Sequence, residues 1–385
     1  MNRVRCLVFN SALGPLDYRV PAGMSVEPGS VVLAPLGPRQ IIGVVWEAER
    51  LPGTEVPDAK LRPLLQVLPV PPLPAPLRRL IEWTADYYVA PLAAVARMAL
   101  SSTAALQGGG TITEYRLTGR EPGRMTPQRL IALDLLQDQQ ATIRELSEIA
   151  GVSDGVLRGM VNAGLLEPVA VDSDRPYPPA DTDHAAPDLS QEQAEVASRF
   201  VEAVRAGAFH PFLLDGVTGS GKTETYFEAV AAALGQGRQV LVLLPEIALT
   251  ETFLKRFEAR FGVPPVTWHS ALKASERRRA WRAVAHGTAQ VVVGARSALF
   301  LPFAQLGLIV VDEAHEISFK QDDGVRYNAR DVAVMRAHFE KVPVILASAT
   351  PALESLQMAE AGRYERVVLP ARFGGATMPD IRIVD

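Results

Sequence analysis

Cysteine is almost missing from this chain: Cys6 is the only one in 385 residues. A single thiol excludes an internal disulfide and any multi-cysteine zinc cluster within these residues. It fits a cytoplasmic compartment better than an oxidising one. Long apolar runs are also missing. None approaches the ~20 residues that cross a bilayer, so no membrane partner is expected. The opening Met1-Asn2-Arg3-Val4-Arg5 leads into no long apolar stretch with a small-residue cleavage site, so no secretion signal is expected either. Nor is there an excess of positive charge. The net charge is −4, which excludes a whole-chain basic footprint for nucleic acid.

That charge is unevenly spread. Residues 1–105 carry ten Lys/Arg against eight Asp/Glu, 106–188 seven against thirteen, and 189–385 twenty-two of each. Nucleic-acid binding would therefore use local grooves. At 48% hydrophobic and 21% charged, the rest is ordinary globular protein, long enough for two or three domains.

Three regions and a connector are expected. In residues 1–105, short apolar runs are broken by Gly and Pro. Ser30–Pro35, Leu36–Gln40 and Ile41–Trp46 read as strand, turn and strand of a small β-barrel-like module. Pro69–Pro76 then leads into a helical run. Residues 106–170 read as a small helical module. Two amphipathic helices join at Gly151, and Leu165, Leu166 and Val169 form a short wing-like strand, the pattern of a winged helix-turn-helix. Arg158 is the only cation in the second helix, which favours a scaffold or protein-contact role over base readout. Residues 171–188 are Pro- and Asp-rich and read as a linker.

Residues 189–385 alternate buried-type strands with helices. The candidates are Pro211–Leu214, Gln239–Leu244, Val266–His269, Gln290–Val293, Leu308–Val311 and Val344–Ala347. Such runs imply a parallel sheet covered on both faces, so the fold class is α/β multidomain.

Within that region, Gly216-Val217-Thr218-Gly219-Ser220-Gly221-Lys222-Thr223 fits G-x-x-x-x-G-K-[ST] between a strand and a helix. The glycines let successive N–H groups face phosphate oxygens, and the helix N-terminus adds a favourable dipole. Lys222 is expected to reach the β- and γ-phosphates of ATP, and Thr223 to ligate Mg²⁺. About ninety residues later a strand ends in Asp312-Glu313-Ala314-His315. Asp312 would hold Mg²⁺ largely through water, and Glu313 would orient the attacking water. Ser348-Ala349-Thr350 follows the next strand, where its hydroxyls could bond to the carboxylates or His315 and couple nucleotide state to neighbouring loops. Pro245–Thr250 and Gly294–Phe300 also follow strands and could offer groups to a phosphate backbone. Phe319, Lys320, Arg326 and Tyr327 interleave rings with cations, which suits single-stranded DNA; helix packing is the competing role for the two rings.

The ordered set Gly216–Thr223, Pro245–Thr250, Gly294–Phe300, Asp312–His315 and Ser348–Thr350 resembles the first RecA-like lobe of a superfamily 2 helicase. Its wording, with Gly14–Tyr18, Ala34–Gly37 and Trp83–Tyr88, resembles the PriA (primosomal protein N′) family of replication-restart helicases over essentially the whole chain. The resemblance implies a 3′-DNA-binding domain, a winged-helix domain and a 3′→5′ helicase that recognises forked DNA and reloads the replisome. Implied partners are DNA 3′ ends, single-stranded DNA, primosome proteins and single-strand-binding protein. The family's 3′-end pocket maps onto Leu16, Asp17, Gly37 and Arg62, with Leu16 where an aromatic often stands. Arg296 falls in the strand-end segment expected to meet the DNA backbone. The resemblance also implies parts that lie beyond Asp385: a cysteine-rich zinc module, a second lobe with arginine fingers and a C-terminal domain. A single lobe is expected to hydrolyse ATP poorly, since such fingers can contribute ~10³–10⁵ in rate. A non-motor protein that binds forks or 3′ ends and recruits partners is the alternative reading.

Overall fold

The computed structural model describes residues 3–47, 56–106, 110–120, 126–135, 140–172, 174–186, 188–245 and 251–372. The chain forms two compact units. One combines Met1–Gln107 with Pro176–Asp385, and the other is Gly108–Arg175.

The first unit begins with an antiparallel sheet of β1 (Arg3–Val8), β2 (Leu16–Arg19), β3 (Val31–Leu36), β4 (Arg39–Val45) and β5 (Gln66–Val67), in the order β2-β1-β4-β3-β5. The ends approach each other. Arg19 N–H donates to Arg62 O and Leu64 N–H to Arg19 O, both at 3.0 Å, so the stretch before β5 reaches back to β2. The alternation of the strands sets their two faces. Cys6, Val8, Val32, Ala34 and Val45 turn into one small core. Leu7, Val31 and Val44 turn the other way, towards α1 (Ala75–Tyr87) and α2 (Leu92–Ala99).

The second unit runs β6 (Thr111–Leu117), α3 (Pro127–Leu135), α4 (Ile143–Ala150), α5 (Asp154–Asn162) and β7 (Leu166–Asp172). Gly151, at φ +61°, turns α4 into α5, the break expected there. The tail is longer than expected and has a partner: β7 pairs antiparallel with β6 along its whole length, from Leu117↔Leu166 to Thr111↔Asp172. Leu146, Leu157, Met160 and Leu166 share the core.

Returning to the first unit, the chain continues through α6 (Gln191–Ala206), β8 (His210–Gly216), α7 (Lys222–Gly235), β9 (Gln239–Leu243), α8 (Glu251–Phe261), β10 (Val266–Trp268), α9 (Ala274–Ala285), β11 (Val291–Gly294), β12 (Leu306–Val311), β13 (Lys320–Gln321), β14 (Tyr327–Asn328), α10 (Ala329–Glu340), β15 (Pro343–Ser348), α11 (Leu353–Glu360) and β16 (Glu365–Leu369). Seven strands form one parallel sheet in the order β10-β11-β9-β12-β15-β8-β16. All six expected strands are in it. The seventh, β16, pairs on one side only among the described residues, and its exposed Arg366 and Val368 break the apolar run that marks buried strands.

Alternate residues face opposite layers. Val240, Val242, Val310 and Ile345 meet Phe200, Phe227 and Phe257 of α6, α7 and α8. Leu241, Leu243, Ile309 and Leu346 face the layer of α9 and α10, which is continuous with α1 and α2. There Trp281 Nε1 donates to Ala99 O at 2.8 Å, and Asn328 N–H donates to the Tyr88 hydroxyl at 3.1 Å. The N-terminal sheet and the parallel sheet are thus joined through a shared core.

The stretch expected to be a linker is tied down over its second half. Ala180 N–H donates to Gln290 Oε1, Asp181 N–H to Phe261 O, and Arg260 to Thr182 O. The Arg279 guanidinium lies 4.0 Å from the Tyr177 ring centroid.

Candidate nucleotide site and nucleic-acid surface

Strand order brings the motifs together. β15 lies between β8 and β12, so three neighbouring carboxyl ends carry the phosphate-type loop, Ser348 and Asp312. That edge is where ligands bind in open α/β sheets.

The loop leaves β8 at Gly216 and enters α7 at Lys222. Gly219 and Gly221 sit at φ +80° and +81°, a conformation that favours glycine. Gly216 is constrained by space instead: a Cβ there would lie 2.7 Å from Ser220 Oγ. Val217, Thr218 and Gly219 are exposed at the tip, while Ser220, Lys222 and Thr223 are buried. Lys222 folds back so that Nζ donates to Gly216 O at 2.9 Å. Ser220 Oγ is buried without a partner among the described residues.

Gln193 is a residue that the motif reading missed. Its Nε2 donates to Ser220 O at 2.8 Å, across a gap that any Cβ on Gly221 would close. Ser190 and Gln193 form a capping box at the start of α6, which fixes the side chain. The signal was in the sequence: Ser190-Gln191-Glu192-Gln193 is a capping-box pattern before an apolar run. Ser190, Gln193, Ser220, Leu369 and Arg372 line a cleft of ≈ 570 Å³ beside the loop.

The two adjacent carboxylates have different surroundings. Asp312 is 7% exposed. Its Oδ2 accepts from the Tyr226 hydroxyl at 2.8 Å and its Oδ1 from Glu313 N–H at 2.9 Å. Burial pushes its pKa above the usual carboxylate range, opposed by the Tyr226 hydrogen bond. Burial beside that carboxylate also raises the Tyr226 pKa well above its ordinary value. Glu313 is more open, its side chain 41% exposed, and it holds φ +49°. Non-glycine residues in that region store local strain. His315 Nδ1 lies 3.6 Å from Glu313 Oε2 and 3.0 Å from Ser348 Oγ. Thr350 meets the same hydroxyl through its backbone N–H, 3.1 Å from Ser348 Oγ.

The expected DNA contacts divide. Lys320 and Arg326 are exposed on the β13–β14 hairpin. Phe319 and Tyr327, expected to be open to bases, are core residues at 2% and 3% exposure. Tyr327 packs edge-on against Phe300, at 5.5 Å between centroids. The hairpin turns its rings inward and its cations outward, so the packing role holds for the rings. Arg296 laces this hairpin from below, donating to Ser318 O at 2.8 Å and Lys320 O at 2.9 Å. The exposed ring nearby is Tyr87, 63% exposed and stacked on Trp83 at 4.8 Å.

At the N-terminal sheet, Leu16 and Asp17 open β2, whose Arg19 bonds to the Arg62 backbone, and the Arg62 side chain reaches Gly37. Arg62 Nη1 donates to Gly37 O at 2.5 Å, and its backbone bonds to Arg19 beside them. Asp17 is largely covered, 3.8 Å from Arg5 Nε. Of Pro245–Thr250, residues 246–250 lie outside the described residues.

These features define a P-loop nucleotide-binding lobe fused to a small antiparallel domain. The DEAD/DEAH box helicase family matches residues 192–359, and the 3′DNA-binding domain (3′BD) matches residues 6–101. The chain belongs to the PriA family, whose N-terminal portion it matches. It is 31% identical to "Replication restart protein PriA" of Rickettsia felis over 386 residues, covering 100% of this chain and 48% of that protein. To the Haemophilus influenzae protein of the same name it is 34% identical, over 94% of this chain and 51% of that one. The chain thus spans about half the length of the curated relatives it matches. Among solved structures it is similar to RecG bound to a three-way DNA junction, at 21% identity and TM-score 0.38, over 52% of this chain and 25% of that one. The helicase family implies use of ATP and Mg²⁺. Among the described residues, no helix is long and apolar enough to cross a membrane.

Proposed function

We propose that this chain provides the first motor lobe and the DNA-binding modules of a cytoplasmic, ATP-dependent 3′→5′ DNA helicase of replication restart. It would bind stalled or abandoned forks and DNA 3′ ends, with primosome proteins and single-strand-binding protein as partners. The observation that carries this reading is the convergence of Lys222, Thr223 and Asp312 at neighbouring strand ends. The N-terminal sheet, nearly closed on itself through Arg19 and Arg62–Leu64, is read as a small barrel-like 3′-end module. The second unit is read as a winged helix with β6 and β7 as its wing.

In this reading the Gly216–Thr223 loop holds the phosphates, and the cleft beside Gln193 takes the nucleoside. The donor set suits Mg²⁺, which takes one or two protein oxygens and completes its shell with phosphate and water. Thr223 and Asp312 would hold it. The ion would neutralise charge on the phosphates. Glu313, the more open carboxylate, orients the attacking water. His315, Ser348 and Thr350 link that site to the next strand end. Leu16, Asp17, Gly37 and Arg62 hold a 3′ end, and Lys320, Arg326 and the Arg296-laced hairpin meet the single strand.

The test begins with Lys222→Ala. Losing a charge-assisted contact of about 1.5–3 kcal/mol should weaken ATP binding by roughly 10- to 150-fold. The same change should remove DNA-stimulated hydrolysis when the C-terminal half of a relative is supplied. Equilibrium binding of a fluorescent ATP analogue checks the first expectation. Unchanged affinity and unchanged hydrolysis would sink the motor reading.

A further inference from the structure

A second cleft, of ≈ 460 Å³, lies between the N-terminal sheet and α2, away from the nucleotide site. Its wall on the sheet side is Phe9, Asn10, Arg39 and Gln40, and its wall on α2 is Ala93 and Arg97. Among the described residues, no acidic one lines it. Among the described residues neither Arg39 nor Arg97 has an ion pair, although acids outnumber bases in the chain as a whole. Both residues are exposed. Asn10 and Gln40 add neutral hydrogen-bonding groups.

The cleft starts at the β3–β4 turn. Leu36 and Arg39 pair across that turn, and both line the cleft. Gly37, between them, has its carbonyl held by Arg62. Two of the proposed 3′-end residues, Gly37 and Arg62, therefore meet Arg39 at one hairpin turn, and Arg97 faces that turn from α2 across the cleft.

We propose that this cleft is a phosphodiester-backbone site that holds the strand leading away from the 3′ end. The inference rests on the DNA-binding reading above and adds a site to it. Guanidinium forks match phosphate oxygens in paired geometry, and neither guanidinium is engaged by a carboxylate among the described residues. Backbone contacts of this kind set position and affinity, not sequence preference.

The experiment compares the wild-type chain, Arg39→Ala/Arg97→Ala, Arg39→Lys/Arg97→Lys and Asp17→Ala. Each is titrated with short oligo(dT) carrying a 3′-hydroxyl or a 3′-phosphate, between about 50 and 200 mM salt. Each phosphate contact contributes about 0.7 to the slope of log affinity against log salt for single strands, so the double alanine variant should lose about 1.4 from that slope. Its affinity should fall alike for both ends, and the double lysine variant should keep the slope. Asp17→Ala should lose only the preference for the 3′-hydroxyl. An unchanged slope in a folded double alanine variant overturns the proposal. So does a loss confined to the 3′-hydroxyl strand, which would assign the arginines to the end pocket. A wild-type chain that binds neither strand refutes the DNA-binding reading, and this site with it.

Discussion

Arg336→Ala is expected to lower the unfolding free energy of its compact unit by about 3–5 kcal/mol, the cost of breaking a buried ion pair from one side. Arg336 is 0% exposed. Its Nε and Nη2 donate to Glu340 Oε1 at 3.1 and 3.0 Å, and its Nη1 donates to Leu299 O and Leu301 O at 2.5 and 3.0 Å. Those carbonyls lie at the end of the short turn Arg296–Phe300 and just past it, so Arg336 ties that end to α10. Burial lowers the Arg336 pKa, and Glu340 offsets that by favouring the charged form. Alanine would leave Glu340 charged with its side chain only 9% exposed, and would take the Arg336 donor from Leu299 O, while Leu301 O keeps its bond from Phe303 N–H. Urea unfolding followed by tryptophan fluorescence measures the loss, since Trp268 and Trp281 both lie in this core. Arg336→Met/Glu340→Leu removes both charges and should recover much of the stability. A single-variant loss below about 1 kcal/mol would show that the pair does not anchor the turn.

Much of the parallel sheet was readable because its central strands are buried on both faces and therefore apolar without interruption. Val291–Val293 and Leu308–Val311 carry that signal in a few residues. Strands that lack two buried faces were not readable in the same way. Glu365–Leu369 is an edge among the described residues, and Thr111–Leu117 alternates polar with apolar and meets its partner some fifty residues later. The phosphate-type loop was legible because its requirements are local: glycine where φ is positive and lysine at the helix start. The tie from Tyr226 to Asp312 was not, because it depends on where α7 crosses the sheet rather than on spacing. The same limit explains Phe319 and Tyr327. Alternating rings and cations look alike whether the rings stack on bases or fill a core, and only the hairpin register decides between them. Tyr87, by contrast, sits in a helix whose pattern suggests packing, yet it keeps an open ring face.

Asp312→Asn is expected to separate function from stability. The change is isosteric. The amide oxygen can accept from Glu313 N–H at 2.9 Å, and the amide nitrogen can donate to the Tyr226 oxygen at 2.8 Å, which reverses that bond and takes the carboxylate acceptor from the Tyr226 proton. What is lost is the charge. Removing an outer-shell partner of a bound metal already costs about 10- to 100-fold in affinity, so loss of the proposed Mg²⁺-holding carboxylate should cost at least that. The readout is the Mg²⁺ dependence of ATP-analogue binding. Wild type should bind more tightly as Mg²⁺ is added, and the variant should not respond over the same range. Stability should move the other way. In the folded chain the Asp312 pKa is raised, chiefly by burial. A raised acid pKa means that the folded state binds protons more readily than the unfolded one, so stability is lost as pH rises through the folded pKa. At neutral pH the nucleotide-free wild type carries that cost and the asparagine variant does not. Asp312→Asn should therefore be as stable as wild type or more so near pH 7, and its advantage should shrink as pH falls below the folded pKa of Asp312. Paired urea titrations across that range test the sign. A variant that keeps the Mg²⁺ response, or one that is less stable than wild type at neutral pH, would mean that Asp312 serves the fold and not the metal.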